Sequence, residues 1–442
     1  MKLTNSYIYI TLIIIILVIS YLLFVKKESF ENNGLNVDFK GSYPLFINFY
    51  PIHLDNDPNL KYILQKLKIG SYMNRSNLCP VFIAPTIGAS EIYAKWSLGS
   101  NSTHFLKTLD STKNFNSTDK WSCKDVQDTY TKIWFPFNSI DGLSEYCWSF
   151  NTKVVFNNNK FTNVEGVETI TDNIGSLNFY NGYSSLINGL IYLGYLKGTN
   201  LFGLPYDFRL MDVNIITEIW ASSIENTVRY NNKRAILIGH GLGCLLINYL
   251  LNKKGHAWSY AYIETFISIS GPYAGCPKAL KVLINGDNIM DKNHTIYNTI
   301  KTFSGLYWMM PTPTYNESIV YKNSVGYDVI TFLNYSGLIN QYNSTMSLLS
   351  KLNAPQVPTY IIYGHNVKTE SCYYLDSASD IIQSEYVDGD GTVTLESLTV
   401  PKYWHQNEPI YVKGYDSAEH TLILSMSEPI ADILKVIYDL NQ

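Results

Sequence analysis

The chain has 442 residues, 46% of them hydrophobic and 16% charged, enough to bury a large core as one α/β domain with insertions or as two domains. Net charge is −4 and the isoelectric point about 6.1, so no basic field points to nucleic acid as a partner. Tyrosine, at 36 residues, reads together with the frequent Asn and Ile as compositional bias, not as a functional signal.

In chain order, the first element is the uncharged run Tyr7–Val25, framed by Lys2 and by Lys26 and Lys27. Its length suits a membrane-crossing helix, which needs about 20 apolar residues. A signal peptide has a shorter apolar stretch and small residues at its cleavage site. Phe24-Val25-Lys26-Lys27-Glu28 offers no such site, so a retained anchor over residues 1–27 is expected, with a cleaved signal sequence as the alternative. Lysines on both flanks specify its orientation weakly. Residues 28–78 follow as a linker and N-terminal extension. Val81–Ala84 then reads as a short buried strand, ended by Pro85 and followed by a small-residue loop through Ser90. The Ser-, Thr- and Asn-rich stretch 101–124 shows no period and reads as loop.

Asn-x-Ser/Thr sequons stand at Asn74, Asn101, Asn116, Asn293, Asn316, Asn334 and Asn343, marking candidate glycosylation sites. Cys123 and Cys147 bracket a polar–aromatic segment as a disulfide-closed loop would. The other cysteines are Cys79, Cys244, Cys276 and Cys372. These features favour a lumenal or extracellular body. No Cys-x-x-Cys and no His cluster suggests a metal, and no cofactor is expected.

Leu186, Ile187, Leu190, Ile191, Leu193 and Leu196 carry the spacing of an amphipathic helix over 184–197. Residues 201–208 read as extended and 213–230 as helical. Thr265–Ile269 is another buried strand, closed by Ser270-Gly271-Pro272. Residues from about 286 to 354 break the alternation and are read as an insertion capping the sheet. Strand-like runs return at Tyr360–Tyr363 and Ile410–Val412, and a helix from about Pro429 to Leu440 closes the chain. Strands alternating with helices predict a mostly parallel sheet covered on both faces.

The centre of this pattern is Ala235-Ile236-Leu237-Ile238-Gly239-His240-Gly241-Leu242-Gly243-Cys244-Leu245-Leu246. An apolar run enters a Gly-x-x-x-Gly turn and continues into a helix-compatible segment, the layout of a nucleophile elbow. The middle residue, a serine in the usual motif, is Gly241. Downstream, Val387-Asp388-Gly389-Asp390-Gly391-Thr392-Val393 offers an Asp in a Gly-rich turn, and His420 precedes an apolar segment. Nucleophile, acid and base fall in the order an α/β-hydrolase uses, with Asp390 placed to orient His420 as a general base.

With these motifs in hand, the chain resembles the lecithin:cholesterol acyltransferase and lysosomal phospholipase A family from about Cys79 to the C-terminus. The resemblance is carried by Pro80–Trp96, by Ile133-Trp134-Phe135 within the Cys123–Cys147 interval, and by Cys147-Trp148 and Asn151–Phe156. Further on it is carried by Pro205-Tyr206-Asp207-Phe208-Arg209, Gly239–Cys244, Ser270–Gly275, Asp388–Val393 and His420. It implies an α/β-hydrolase fold over 79–442, with a cap insertion at about 286–354 and a disulfide-closed lid loop at 123–147. It further implies acyl transfer from a phospholipid to a serine and then to a lipid hydroxyl or water. Asp390 matches the acid, His420 the base and Gly241 the nucleophile position. The oxyanion hole would be the N–H groups of Leu242 and Ile87. Trp134, Phe135 and Phe137 are candidate lid residues for membrane contact, with core packing as the alternative.

Two departures bear on activity. Gly241 has no oxygen. The family's Pro-Gly-x-x-Gly-Ser loop reads Pro85-Thr86-Ile87-Gly88-Ala89-Ser90, so both pattern glycines are gone. Removing the nucleophile of a triad enzyme costs on the order of 10⁶ in kcat. The sequence therefore predicts a lipid- or membrane-binding member that is catalytically impaired or inactive, with phospholipid and membrane as partners. The alternatives are an active acyltransferase or phospholipase A with a non-standard nucleophile, and a glycosylated, membrane-anchored structural protein. It also predicts that Gly241→Ser alone raises activity measurably, and that adding Thr86→Gly raises it further.

Overall fold

A computed structural model of the chain describes residues 58–66, 78–96, 130–134, 145–179, 182–286, 294–312, 319–349 and 352–442. Six strands form the main sheet: β1 (Val81–Ala84), β2 (Leu201–Gly203), β3 (Ala235–His240), β4 (Ile263–Ile269), β5 (Thr359–His365) and β6 (Ile410–Asp416). Their order is β6-β5-β4-β3-β1-β2, and every pairing is parallel. β1 and β3 are buried at every position. That is why they read as continuous apolar runs: a parallel strand is covered on both faces and has no polar side to show.

Alternate residues of these strands feed two cores. Val81, Ile83, Ile236 and Ile238 pack with α1 (Ser184–Tyr192) and the C-terminal helix α5 (Ser427–Asp439) through Leu186, Leu190, Ile433 and Leu434. Phe82, Ala84 and Leu237 pack with α2 (Val213–Asn231) and α3 (Leu242–Tyr262) through Trp220, Ile224, Leu246 and Leu250. Asp212 caps α2 by accepting the Ile215 N–H, and Asn232 ends it in the left-handed conformation. Helix–sheet–helix layering puts the carboxyl ends of β1, β3, β4 and β6 on one edge, where open α/β sheets build their sites.

Between β4 and β5 lie α4 (Pro277–Asn285), short helices at Ser304–Trp308, Val329–Tyr335 and Ile339–Leu349, and two short strands. The strands, Val320–Lys322 and Val325–Tyr327, join the hairpin Val367–Leu375/Ile381–Gly389 in a second, four-stranded sheet. The cluster Leu306–Met310 is wholly buried, so the interruption of the alternating pattern marks packed structure. Asp390 follows the second strand of this hairpin, not a strand of the main sheet. Asn334 and Asn343 are exposed; the other sequons lie outside the described residues.

Among the described residues no helix is long and apolar enough to cross a membrane. The run Tyr7–Val25, Cys123, Phe135, Phe137 and the side chain of Cys147 lie outside the described residues. Trp134 corrects the expectation of membrane contact. It is 1% exposed, donates its indole N–H to the Gly88 carbonyl at 2.8 Å, and packs edge-on to Phe208 and Phe303. Its indole pins the loop after β1 in the core.

Candidate active site

The elbow between β3 and α3 turns at Gly241, whose φ of 53° and ψ of −122° lie where L-residues are strained and glycine is not. Gly243 is required for a different reason. A Cβ there would collide with the carbonyl oxygens of Ala84 and Pro85, so its absence lets α3 start directly against β1. Leu242 opens α3, and its N–H is one of the first-turn donors that have no partner within the helix.

On one side of Gly241 stands the Asp390–His420 pair. His420 Nδ1 lies 2.8 Å from Asp390 Oδ2. The other carboxylate oxygen accepts from the Thr392 and Val393 N–H groups at 3.0 and 2.7 Å. The His420 N–H donates to the Asp390 carbonyl at 2.8 Å. Asp390 is 1% exposed and His420 7%. With Nδ1–H donated to the carboxylate, Nε2 is left as an acceptor. An ideal Cβ built on Gly241 lies 3.1 Å from that nitrogen. The elbow position, the acid and the base picked out in the sequence are thus brought together.

On the other side stands Thr86. Its Oγ1 sits well inside van der Waals contact of the same ideal Cβ, and its own Cβ lies 2.9 Å away. A serine side chain at 241 would have to occupy the volume that Thr86 fills. The expectation that Gly241→Ser alone would raise activity meets an obstacle here: a Cβ at 241 is accommodated only if residue 86 shifts or is made smaller. The loop is a tight turn, with Gly88 at φ 76° and Ala89 N–H donating to the Thr86 carbonyl at 3.2 Å. One shifted glycine suffices to close it. Ile87 is buried in that turn.

The loop is held by aromatic side chains that the sequence did not single out as functional. The Thr86 N–H donates to the Tyr183 hydroxyl at 2.8 Å, and the Tyr206 hydroxyl donates to the Pro85 carbonyl at 3.0 Å. Tyr183 Oη is 2.9 Å from His240 Nδ1, and His240 Nε2 is 2.8 Å from the His420 carbonyl. A carbonyl can only accept, so Nε2 carries the His240 proton. Burial and the neighbouring His420 hold the His240 pKa well below 6.5, so the ring is neutral and Nδ1 accepts from Tyr183. Burial likewise keeps the Tyr183 phenol protonated. The result is one directional chain, Thr86 N–H to Tyr183 O–H to His240 to the His420 carbonyl. Thr86, His240 and His420 stand in the sequence motifs, but Tyr183, which joins them, carries no signal of its own there.

Among the described residues no nearby thiol replaces the missing hydroxyl. Cys244 Sγ turns to the Ile269 carbonyl at 3.3 Å, and burial lifts its pKa to about 12. Cys276 is bonded to the Thr392 carbonyl and is also raised to about 12 by burial. The Pro205–Arg209 motif is structural. Arg209, 0% exposed, forks onto Asp207 through Nε and Nη2, at 3.1 and 2.5 Å. Its Nη1 reaches the Thr152 carbonyl at 2.7 Å.

A parallel sheet, a sharp strand–helix elbow and a buried Asp–His pair facing it define an α/β-hydrolase architecture. Residues 130–336 match the family model described as lecithin:cholesterol acyltransferase, the family that the motifs resemble. The matched segment includes the elbow and ends before Asp390 and His420. The chain is 25% identical to the phosphatidylcholine-sterol acyltransferase of Mus musculus over 347 residues, covering 72% of this chain and 79% of the relative. It is 29% identical to that of Homo sapiens over 336 residues, covering 68% and 75%. To the lysosomal phospholipase A and acyltransferase of Rattus norvegicus it is 24% identical over 354 residues, covering 72% and 84%.

Proposed function

We propose that this protein binds phospholipid-type acyl esters at the elbow, with its body on the lumenal or extracellular side of a membrane. In this reading the elbow serine chemistry of its relatives is impaired, because Gly241 supplies no hydroxyl. The observation that carries it is the 3.1 Å approach of His420 Nε2 to the ideal Gly241 Cβ. The acid–base pair is aimed at the point where a nucleophile belongs, in a chain similar to phosphatidylcholine-sterol acyltransferases and lysosomal phospholipase A. Asp390 orients His420; the N–H groups of Leu242 and Ile87 are the candidates for the ester oxygen. A lid over residues 123–147 and a cap over about 286–354 would govern lipid access.

A short-chain diether phosphatidylcholine, which cannot be hydrolysed, tests this reading by calorimetric titration. Saturable binding is expected, weakened by Thr86→Phe, which fills the elbow. No saturable binding, or binding indifferent to Thr86→Phe, contradicts it.

A further inference from the structure

We propose that Thr86 Oγ1 is the nucleophile of this site, supplying from the loop after β1 the hydroxyl that the elbow lacks. The inference rests on the lipid-ester reading above and adds the attacking atom. Its first support is position. Thr86 Oγ1 and His420 Nε2 both crowd the one point where an elbow Cβ would stand, the first inside contact distance and the second at 3.1 Å. A triad nucleophile needs its oxygen beside the base, and does not need to be carried by the elbow residue.

The second support is how the two groups are held. Thr86 and His420 are the two ends of the chain of hydrogen bonds through Tyr183 and His240. The same chain fixes the backbone of the hydroxyl-bearing residue and that of the base. Asp390 fixes the His420 ring from the other side. Thr86 is only 3% exposed. A glycine at 241 is then a requirement, because any side chain there would push into the place of the Thr86 hydroxyl.

In the step proposed, Thr86 Oγ1 attacks the carbonyl carbon of a phospholipid ester while His420 Nε2 takes the hydroxyl proton. The ester C–O bond breaks, and His420 returns the proton to the departing glycerol oxygen. Acyl-threonine and lysophospholipid result. Water or a lipid hydroxyl then attacks the acyl-threonine, giving its proton to His420, and the Thr86 oxygen takes that proton back. The branched Cβ of threonine crowds the attack, so the rate falls below that of a serine.

The test uses the full chain and an alkyl p-nitrophenyl phosphonate, which phosphonylates an activated hydroxyl and releases p-nitrophenol. Peptide mass mapping should place one adduct per chain on Thr86. Thr86→Val, nearly isosteric, and His420→Gln should lose the adduct while keeping the wild-type melting transition. Thr86→Ser should gain it faster. An adduct elsewhere, or one that persists in Thr86→Val, overturns the assignment. Saturable binding of the diether phospholipid without an adduct also overturns it and leaves the lipid-ester reading standing. Absence of both binding and adduct removes the two together.

Discussion

On one side of Gly241, Asp390 and His420 keep an acid–base geometry, with both carboxylate oxygens and the imidazole Nδ1 engaged. On the other side, the serine oxygen is missing and the loop after β1 has lost its pattern glycines, yet it is pinned by Trp134, Tyr183 and Tyr206. A site drifting after loss of function would be expected to loosen on both sides. Here the changed side is as tightly bonded as the unchanged one, and Thr86 stands in the volume that a side chain at 241 would take. The two positions are linked sterically: a serine at 241 and a threonine at 86 compete for one volume, whereas a glycine at 241 leaves that volume to Thr86.

Several substitutions would break or sharpen this contrast. The largest effect belongs to the preserved side. In a variant carrying both Gly241→Ser and Thr86→Gly, Asp390→Asn should lower kcat for acyl release by about 10⁴, the scale seen when a triad histidine loses its orienting carboxylate. A loss under tenfold would mean that Asp390 does not orient His420.

Gly241→Ser alone sharpens the changed side. It places a side chain at φ 53° against Thr86 and should destabilise the fold by about 1–3 kcal/mol through overpacking. Urea denaturation measures this, and adding Thr86→Gly should recover much of it. A single variant as stable as wild type would show that Thr86 moves aside freely.

Tyr183→Phe cuts the link between the two sides. It leaves the Thr86 N–H without its acceptor and His240 Nδ1 without its donor, which should cost about 1–2 kcal/mol in the same assay. A neutral result would mean that the chain of hydrogen bonds holds neither side.

The smallest effect is on pH. His240 is held neutral, its folded pKa well below the unfolded 6.5. Below pH 6.5 the unfolded chain therefore binds a proton that the folded chain refuses. The contribution is full above 6.5 and is lost as pH falls, by up to about 1.4 kcal/mol per pH unit. His240→Gln should flatten the stability–pH slope relative to wild type below pH 6.5 and leave it unchanged above. Parallel slopes would contradict a buried neutral imidazole.

The main sheet was legible because parallel strands buried on both faces leave unbroken apolar runs: Val81–Ala84 and the run before Gly239 appear where they were expected. Gly241, Asp390 and His420 were legible as a constellation because their order along the chain is fixed by the fold. Thr86 was legible only as a departure. Its meeting with the Gly241 position depends on two strands being neighbours, which no local pattern encodes. The hairpin Val367–Leu375/Ile381–Gly389 escaped because its second strand is largely exposed and lacks an apolar face. Trp134 misled because an aromatic beside Phe135 reads equally as lid or core, and the acceptor that decides it, the Gly88 carbonyl, is remote in sequence.

The central claim is that the elbow remains a hydrolase elbow in everything but the oxygen. The most direct test is acyl release from phosphatidylcholine vesicles by wild type and by the doubly substituted Gly241→Ser, Thr86→Gly chain. Moving the hydroxyl from the branched Thr86 onto an unbranched serine at the elbow, beside the same base, should raise the rate above that of wild type, even if one oxyanion donor stays misaligned. A double variant that folds, binds the diether phospholipid and releases acyl chains no faster than wild type would contradict the account.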